Sequence, residues 1–139
     1  MSESQTSSPT AKHVQPSWKI VLLALGIDVV LVVLFAALGR SSHSREATLF
    51  GLWTTAWPFL AGLAIMWVSA RVSKHPLSPV KSGIPVWIGT VALGMILRAL
   101  TGAGTALPFV IVATVSIAVF LVGWRLIAQL IRRVAAGRR

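Results

Sequence analysis

Cysteine is absent from this chain, and carboxylates are nearly so: Glu3, Asp28 and Glu46 are the only acidic residues. Without cysteine there is no disulfide, no thiolate metal site and no thiol nucleophile. With so few acids, the apolar stretches offer no paired carboxylates and no His/Asp/Glu set at metal-ligand spacing. They also lack a Ser-His-Asp set with suitable neighbours. No phosphate-cradling glycine-rich loop occurs, since Gly102-Ala103-Gly104 reads as a tight turn. The expectation is therefore a protein that is not an enzyme and needs neither cofactor nor metal.

What the chain does have is apolar length. Its 139 residues leave room for one domain. A hydrophobic share of 55% against 12% charged residues, with a mean hydropathy of +0.81, lies outside the range of soluble globular proteins. Thirteen Lys and Arg give a net charge of +10, a balance that can mark a nucleic-acid binder. Here, however, the basic residues sit at the ends of apolar runs, where anionic lipid headgroups attract them. The expected partner is a lipid bilayer with anionic lipid on its cytoplasmic face, and not nucleic acid.

Residues 1–17 are rich in Ser, Thr, Gln and Pro and hold no apolar period, which predicts a disordered N-terminal tail. Residues 18–39 are apolar for long enough to cross the roughly 30 Å hydrocarbon layer at about 1.5 Å per residue. The run exceeds the roughly 7–15 residues of a signal-peptide core and is interrupted by Asp28, so it reads as a retained transmembrane helix. A polar loop follows at 40–47. The second run, 48–70, contains Trp53, Trp57, Pro58 and Trp67. Pro58 must lie inside this span and free the Thr54 carbonyl, with Thr54, Thr55 or water expected to satisfy it.

The loop at 71–83 is basic, is broken by Pro76 and Pro79, and divides the chain into two helical hairpins. The third helix is expected at 84–101. After the glycine turn, Thr105 is the expected N-cap of a fourth helix at 106–128, with Pro108 in its first turn. That helix leaves the apolar region near Trp124 and gains a basic amphipathic end through Arg125, Arg132 and Arg133. The resulting domain covers 18–130, followed by a basic tail at 131–139. The likeness between A-W-P-F at 56–59 and A-L-P-F at 106–109 is best taken as coincidence.

Charge then sets the orientation. Lys12, Lys19, Arg71, Lys74, Lys81, Arg125, Arg132, Arg133, Arg138 and Arg139 fall on one side, against Arg40 and Arg45 on the other. The positive-inside rule places the first group, and with it both termini, in the cytoplasm. The fold class that follows is all-α: an integral membrane four-helix up-down-up-down bundle in the cell membrane. Trp18, Trp53, Trp87 and Trp124 lie near helix ends and suit an interfacial belt, while Trp57 and Trp67 suit interior packing.

One face of the third helix carries Trp87, Thr90, Gly94, Arg98 and Thr101. An arginine at the bilayer centre costs about 2.5–3.5 kcal/mol even on low scales. Asp28 is the only acid inside an apolar run. It lies about 14 Å in from the inner side and Arg98 about 21 Å, a gap that an arginine side chain covers. Helical side chains lean toward their own N-terminus, which points Arg98 toward Asp28. The expectation is an Asp28–Arg98 pair, with Gly94 leaving room for it. Arg40, His43 and Trp57 would complete an outward-facing polar pocket that also includes Thr90.

A set of motifs carries a family resemblance. They are Asp28, G-R-x-x-H at 39–43, A-W-P-F at 56–59, W-x-x-T-x-x-x-G-M-x-L-R at 87–98, G-x-G at 102–104, V-A-T at 112–114 and G-W-R at 123–125. Together, over residues 19 to about 128, they resemble the family called domain of unknown function 3054, small bacterial and archaeal membrane proteins. The resemblance implies a four-helix inner-membrane protein and brings no activity, substrate or catalytic residue.

A small transport-type or ligand-binding membrane protein, working as a homo-oligomer or with a partner membrane protein, is the first function expected of such a polar centre. Asp28 would respond to a proton or cation, with Arg98 as counter-ion. The alternative is a structural or accessory subunit in which the pair fixes helix packing and the basic face binds anionic lipid or a partner protein. A lipid-modifying enzyme with His43 as base, and Arg40 and Arg98 holding a phosphate, ranks last.

Overall fold

The computed structural model describes residues 16–41 and 48–137, with Arg40 and Ser41 described by backbone alone. Among these residues every regular element is helical: α1 (Trp18–Ser41), α2 (Leu49–Ser69), α3 (Ile84–Leu100) and α4 (Leu107–Gly137). Four helices are long and apolar enough to cross a membrane, which suggests a multi-pass membrane protein in a lipid bilayer. Residues 1–15 of the tail predicted at 1–17, His43 and the side chain of Arg40 lie outside the described residues.

Local chemistry explains where the helices start and stop. The Thr48 hydroxyl accepts from the Gly51 amide at 3.0 Å and so caps α2. That helix ends where Arg71 takes a left-handed backbone (φ 51°). The 71–83 segment is more ordered than a plain loop. It contains a 3₁₀ turn at Val72–Lys74 and a single π-type turn at Pro79–Gly83 that runs directly into α3. Ser78 caps the π turn by accepting from the Lys81 amide, and the Ser82 hydroxyl donates to the His75 carbonyl. Gly102 (φ 73°) and Gly104 (φ 86°) take the left-handed backbone that glycine tolerates, and so reverse the chain between α3 and α4.

One boundary and one side-chain pairing differ from expectation. Helix α4 continues through Gly137, so residues 131–137 are helix rather than tail. The whole 129–137 stretch lacks glycine and proline until its last residue, and nothing in it breaks a helix. In α2, the Thr54 and Thr55 hydroxyls both donate to the Gly51 carbonyl, at 2.9 and 3.1 Å, and not to the Thr54 carbonyl that Pro58 frees. Each reaches back three or four residues, the ordinary range of a helical threonine.

Each helix buries one stripe of residues spaced three or four apart: Ala24, Asp28, Val32, Phe35 on α1; Ala56, Phe59, Leu63, Trp67 on α2; Val86, Thr90, Gly94 on α3; Ala113, Ile117, Leu121, Arg125 on α4. The opposite faces expose Leu23, Val30, Val68, Leu100, Val119 and Ile127, as a helix facing lipid does. Helices α2 and α3 form the closest pair, because Gly62, Gly89 and Gly94 let backbone and side chains approach. At one end of the bundle Phe35, Phe59 and Phe109 cluster, with Phe35 and Phe59 edge to face at 5.3 Å. Toward the other end Asp28, Trp67 and Arg125 meet.

Candidate functional site

Asp28 lies in the middle of the α1 stripe, wholly buried, and takes hydrogen bonds from three side chains on two other helices. Trp67, near the end of α2, donates its indole N–H to Oδ2 at 2.9 Å. Trp124 on α4 donates to Oδ1 at 2.8 Å. Arg125 grips both oxygens, Nη1 to Oδ1 at 2.9 Å and Nη2 to Oδ2 at 2.7 Å. A carboxylate has about four acceptor positions, and here two donors reach each oxygen.

The guanidinium is held as firmly as the acid. Arg125 is the largest fully buried side chain among the described residues. Its Nε donates to the Pro76 carbonyl at 2.9 Å, and Nη1 donates also to the Leu121 carbonyl at 2.9 Å. Its carbon stem runs past Gly83, where a Cβ would stand 3.3 Å from Cδ. Three helices and the 71–83 segment are therefore joined at one point. Removing a charged pair from water is repaid only when geometry and remaining hydrogen bonds are good, and the bidentate fork meets that condition.

Arg98 is not part of this centre, which corrects the expected Asp28–Arg98 pair. Its Nε donates to Gly104 O and its Nη2 to Ala103 O, both at 3.1 Å, and its guanidinium lies 4.3 Å from the Phe109 ring centroid. The side chain turns toward the C-terminal end of its own helix, against the usual lean. The Gly102–Gly104 reversal presents carbonyls there at no desolvation cost beyond that of the turn itself, and an aromatic face beside them.

The remaining candidates fall apart spatially. Gly94 leaves room not for Arg98 but for the Phe59 ring, which lies where its Cβ would be. Thr90 is buried at 0% exposure, and its hydroxyl has no hydrogen-bond partner among the described residues. Trp57 is half-buried on α2. Trp87 and Trp124 point inward rather than forming a belt: Trp87 donates to the Thr114 carbonyl at 2.8 Å and Trp124 to Asp28. Trp18 and Trp53 remain exposed.

Sequence reasoning missed Arg125, Trp124 and the Pro76 carbonyl, and gave Trp67 only a packing role. A signal for Arg125 was present, because it continues the Ala113, Ile117, Leu121 stripe at steps of four. Residues 25–128 match the model of a family described as "Protein of unknown function (DUF3054)", a span that takes in every residue of the Asp28 centre. No curated protein and no solved structure matches the chain.

Proposed function

The chain belongs to the DUF3054 family, and from that premise we propose that it is a structural or accessory subunit of the cell membrane, without catalytic or carrier activity of its own. The observation that carries this is the closure of Asp28: at 0% exposure, both of its oxygens are already engaged by donors from the same chain. A proton- or cation-coupled carrier needs an acid that exchanges partners with cargo. Here exchange would require parting Arg125 from Asp28, Leu121 and Pro76 together, leaving an uncompensated buried charge at a cost of about 3–5 kcal/mol. The centre is thus a clasp that sets how α1, α2 and α4 pack.

The bundle runs up-down-up-down, with both termini and the 71–83 segment in the cytoplasm. In support, Trp67 near the end of α2 reaches the Asp28 level while Phe59 meets Phe35, and late α3 (Arg98) meets early α4 (Phe109). With Arg125 withdrawn into the centre, nine flanking basic residues still outnumber Arg40 and Arg45 on the opposite side.

The absence of native cysteine makes the topology directly testable. Single substitutions Ser73→Cys and Ala103→Cys in the full chain should label with a membrane-impermeant maleimide from opposite faces of the membrane, Ser73→Cys from the cytoplasmic one. Function is tested by flux: purified full-length protein in liposomes should dissipate neither a pH gradient nor a cation gradient. Flux abolished by Asp28→Asn in a folded variant would overturn the accessory role and restore a carrier.

A further inference from the structure

A cavity of about 770 Å³ opens at the end of the bundle that holds the Asp28 centre, between the start of α1, the 74–78 segment and the last turns of α4. Four basic side chains line it: Lys74 and His75 from the segment, Arg132 and Arg133 from α4. No carboxylate lines it among the described residues. Ile20 and Leu77 add apolar surface to the same lining, and exposed Leu130 and Ile131 precede Arg132 on α4.

This wall is fixed from within. The Pro76 carbonyl is held by Arg125, and the His75 carbonyl by the Ser82 hydroxyl, so Lys74 and His75 sit on a segment tied to the buried clasp. The α4 side is equally determined, because α4 remains helical to Gly137 and is anchored at Arg125, about two turns before Arg132. Like charges held on two fixed walls repel one another, and an anion between them relieves that repulsion. Arginine side chains suit phosphate oxygens in particular.

We propose that this cavity binds the phosphate-bearing headgroup of an anionic phospholipid. Arg132, Arg133 and Lys74 contact the phosphate, and Ile20 and Leu77 meet the glycerol and the first methylenes. The shared chemistry is a phosphate anion. The mixed lining and a volume far beyond one phosphate ion select the lipid-borne form, as in basic pockets between transmembrane helices. The inference rests on the bilayer placement proposed above but not on the accessory role, and a binding measurement is independent of the flux result.

The test titrates phosphatidylglycerol and phosphatidylcholine of equal chain length into detergent-solubilised full-length protein, with bound lipid read by native mass spectrometry. A parallel arm uses inorganic phosphate. The variant is Arg132→Gln/Arg133→Gln, and the charge-matched control is Lys19→Gln/Lys81→Gln, exposed residues that do not line the cavity. A direct hydrogen bond to a charged phosphate contributes about tenfold or more, so the variant should lose about a hundredfold in phosphatidylglycerol affinity and the control, which makes no such contact, less than threefold. A headgroup preference over phosphatidylcholine supports the site. Equal losses in variant and control overturn it, because only general charge attraction remains. Equal binding of both lipids overturns it as well. If inorganic phosphate binds as well as phosphatidylglycerol at the same concentration, the lipid assignment is overturned in favour of free phosphate.

Discussion

Arg125 and Asp28 are 97 residues apart in the chain and meet through two charge-assisted hydrogen bonds, the shorter 2.7 Å from Nη2 to Oδ2. The first helix is thereby closed onto the last. Cutting either side leaves the other charged and buried, so Asp28→Asn and Arg125→Met should each destabilise the bundle by about 3–5 kcal/mol. Asp28→Asn/Arg125→Met removes both charges and should be clearly less damaging than the sum of those two singles. Arg125→Lys should behave like a loss, because an ammonium cannot span both carboxylate oxygens and also reach the Pro76 carbonyl. Thermal unfolding of the purified protein in detergent, followed by tryptophan fluorescence, measures all of these. Additive singles would refute the clasp.

The two indoles on Asp28 differ from the other tryptophans in kind. Trp67→Phe and Trp124→Phe each keep a ring but remove one donor to the carboxylate, a loss of about 1.5–3 kcal/mol for a hydrogen bond to a charged group. Trp53→Phe, on an exposed α2 position, serves as the reference and should change stability by less than about 0.5 kcal/mol. Denaturant titration of the three variants in one detergent would rank them. A Trp53→Phe loss equal to the other two would show that ring volume, not the N–H, matters.

Helix number and approximate spans were legible in the sequence because apolar length against bilayer thickness is a strong constraint, and Asp28 stood out as the only acid inside an apolar run. The partner was not. Arg125 stands at the end of the apolar run of α4, among Arg132, Arg133, Arg138 and Arg139, so composition groups it with the flanking charges. Its place in the Ala113–Ile117–Leu121 stripe decides otherwise, and its lean toward the α4 N-terminus carries it to Asp28. For Arg98, the face of Trp87, Thr90, Gly94 and Thr101 suggested a side chain turned inward, whereas it binds exposed turn carbonyls beyond its own helix. What sequence could not supply was the competing set of turn carbonyls at Ala103 and Gly104, a feature of the reversed backbone and not of residue type. Pro76 was invisible for the same reason, since its contribution is a backbone oxygen.

The α2–α3 contact depends on absent side chains, and the glycines there are unequal. A Cβ on Gly94 would overlap the Phe59 ring, which Phe35 and Phe109 hold on two other sides. A Cβ on Gly89 would meet the Met66 thioether chain, which can swing away. Gly94→Ala should therefore cost about 1–3 kcal/mol by overpacking, and Gly89→Ala less. Gly26→Ala, where nothing lies within 4 Å, should be neutral or gain up to about 1 kcal/mol of helix propensity. Unfolding midpoints in the order Gly26→Ala, Gly89→Ala, Gly94→Ala from highest to lowest would bear this out; a Gly94→Ala variant as stable as Gly26→Ala would not.

Arg98 and Asp28 sit in separate polar groups, and that separation has a measurable consequence. Arg98→Gln removes two hydrogen bonds to the 103–104 carbonyls and the stacking on Phe109, a cost of about 1–2 kcal/mol at a partly exposed position. Because the Arg98 contacts and the Asp28 centre share no partner, the two substitutions should add within about 0.5 kcal/mol when Arg98→Gln is combined with Asp28→Asn. Arg125→Met combined with Asp28→Asn should instead fall well short of additivity. Running both cycles on the same detergent-solubilised protein sets one against the other. Strong coupling in the Arg98 cycle would place that guanidinium back beside the carboxylate, and weak coupling in the Arg125 cycle would remove the clasp that joins α1 to α4.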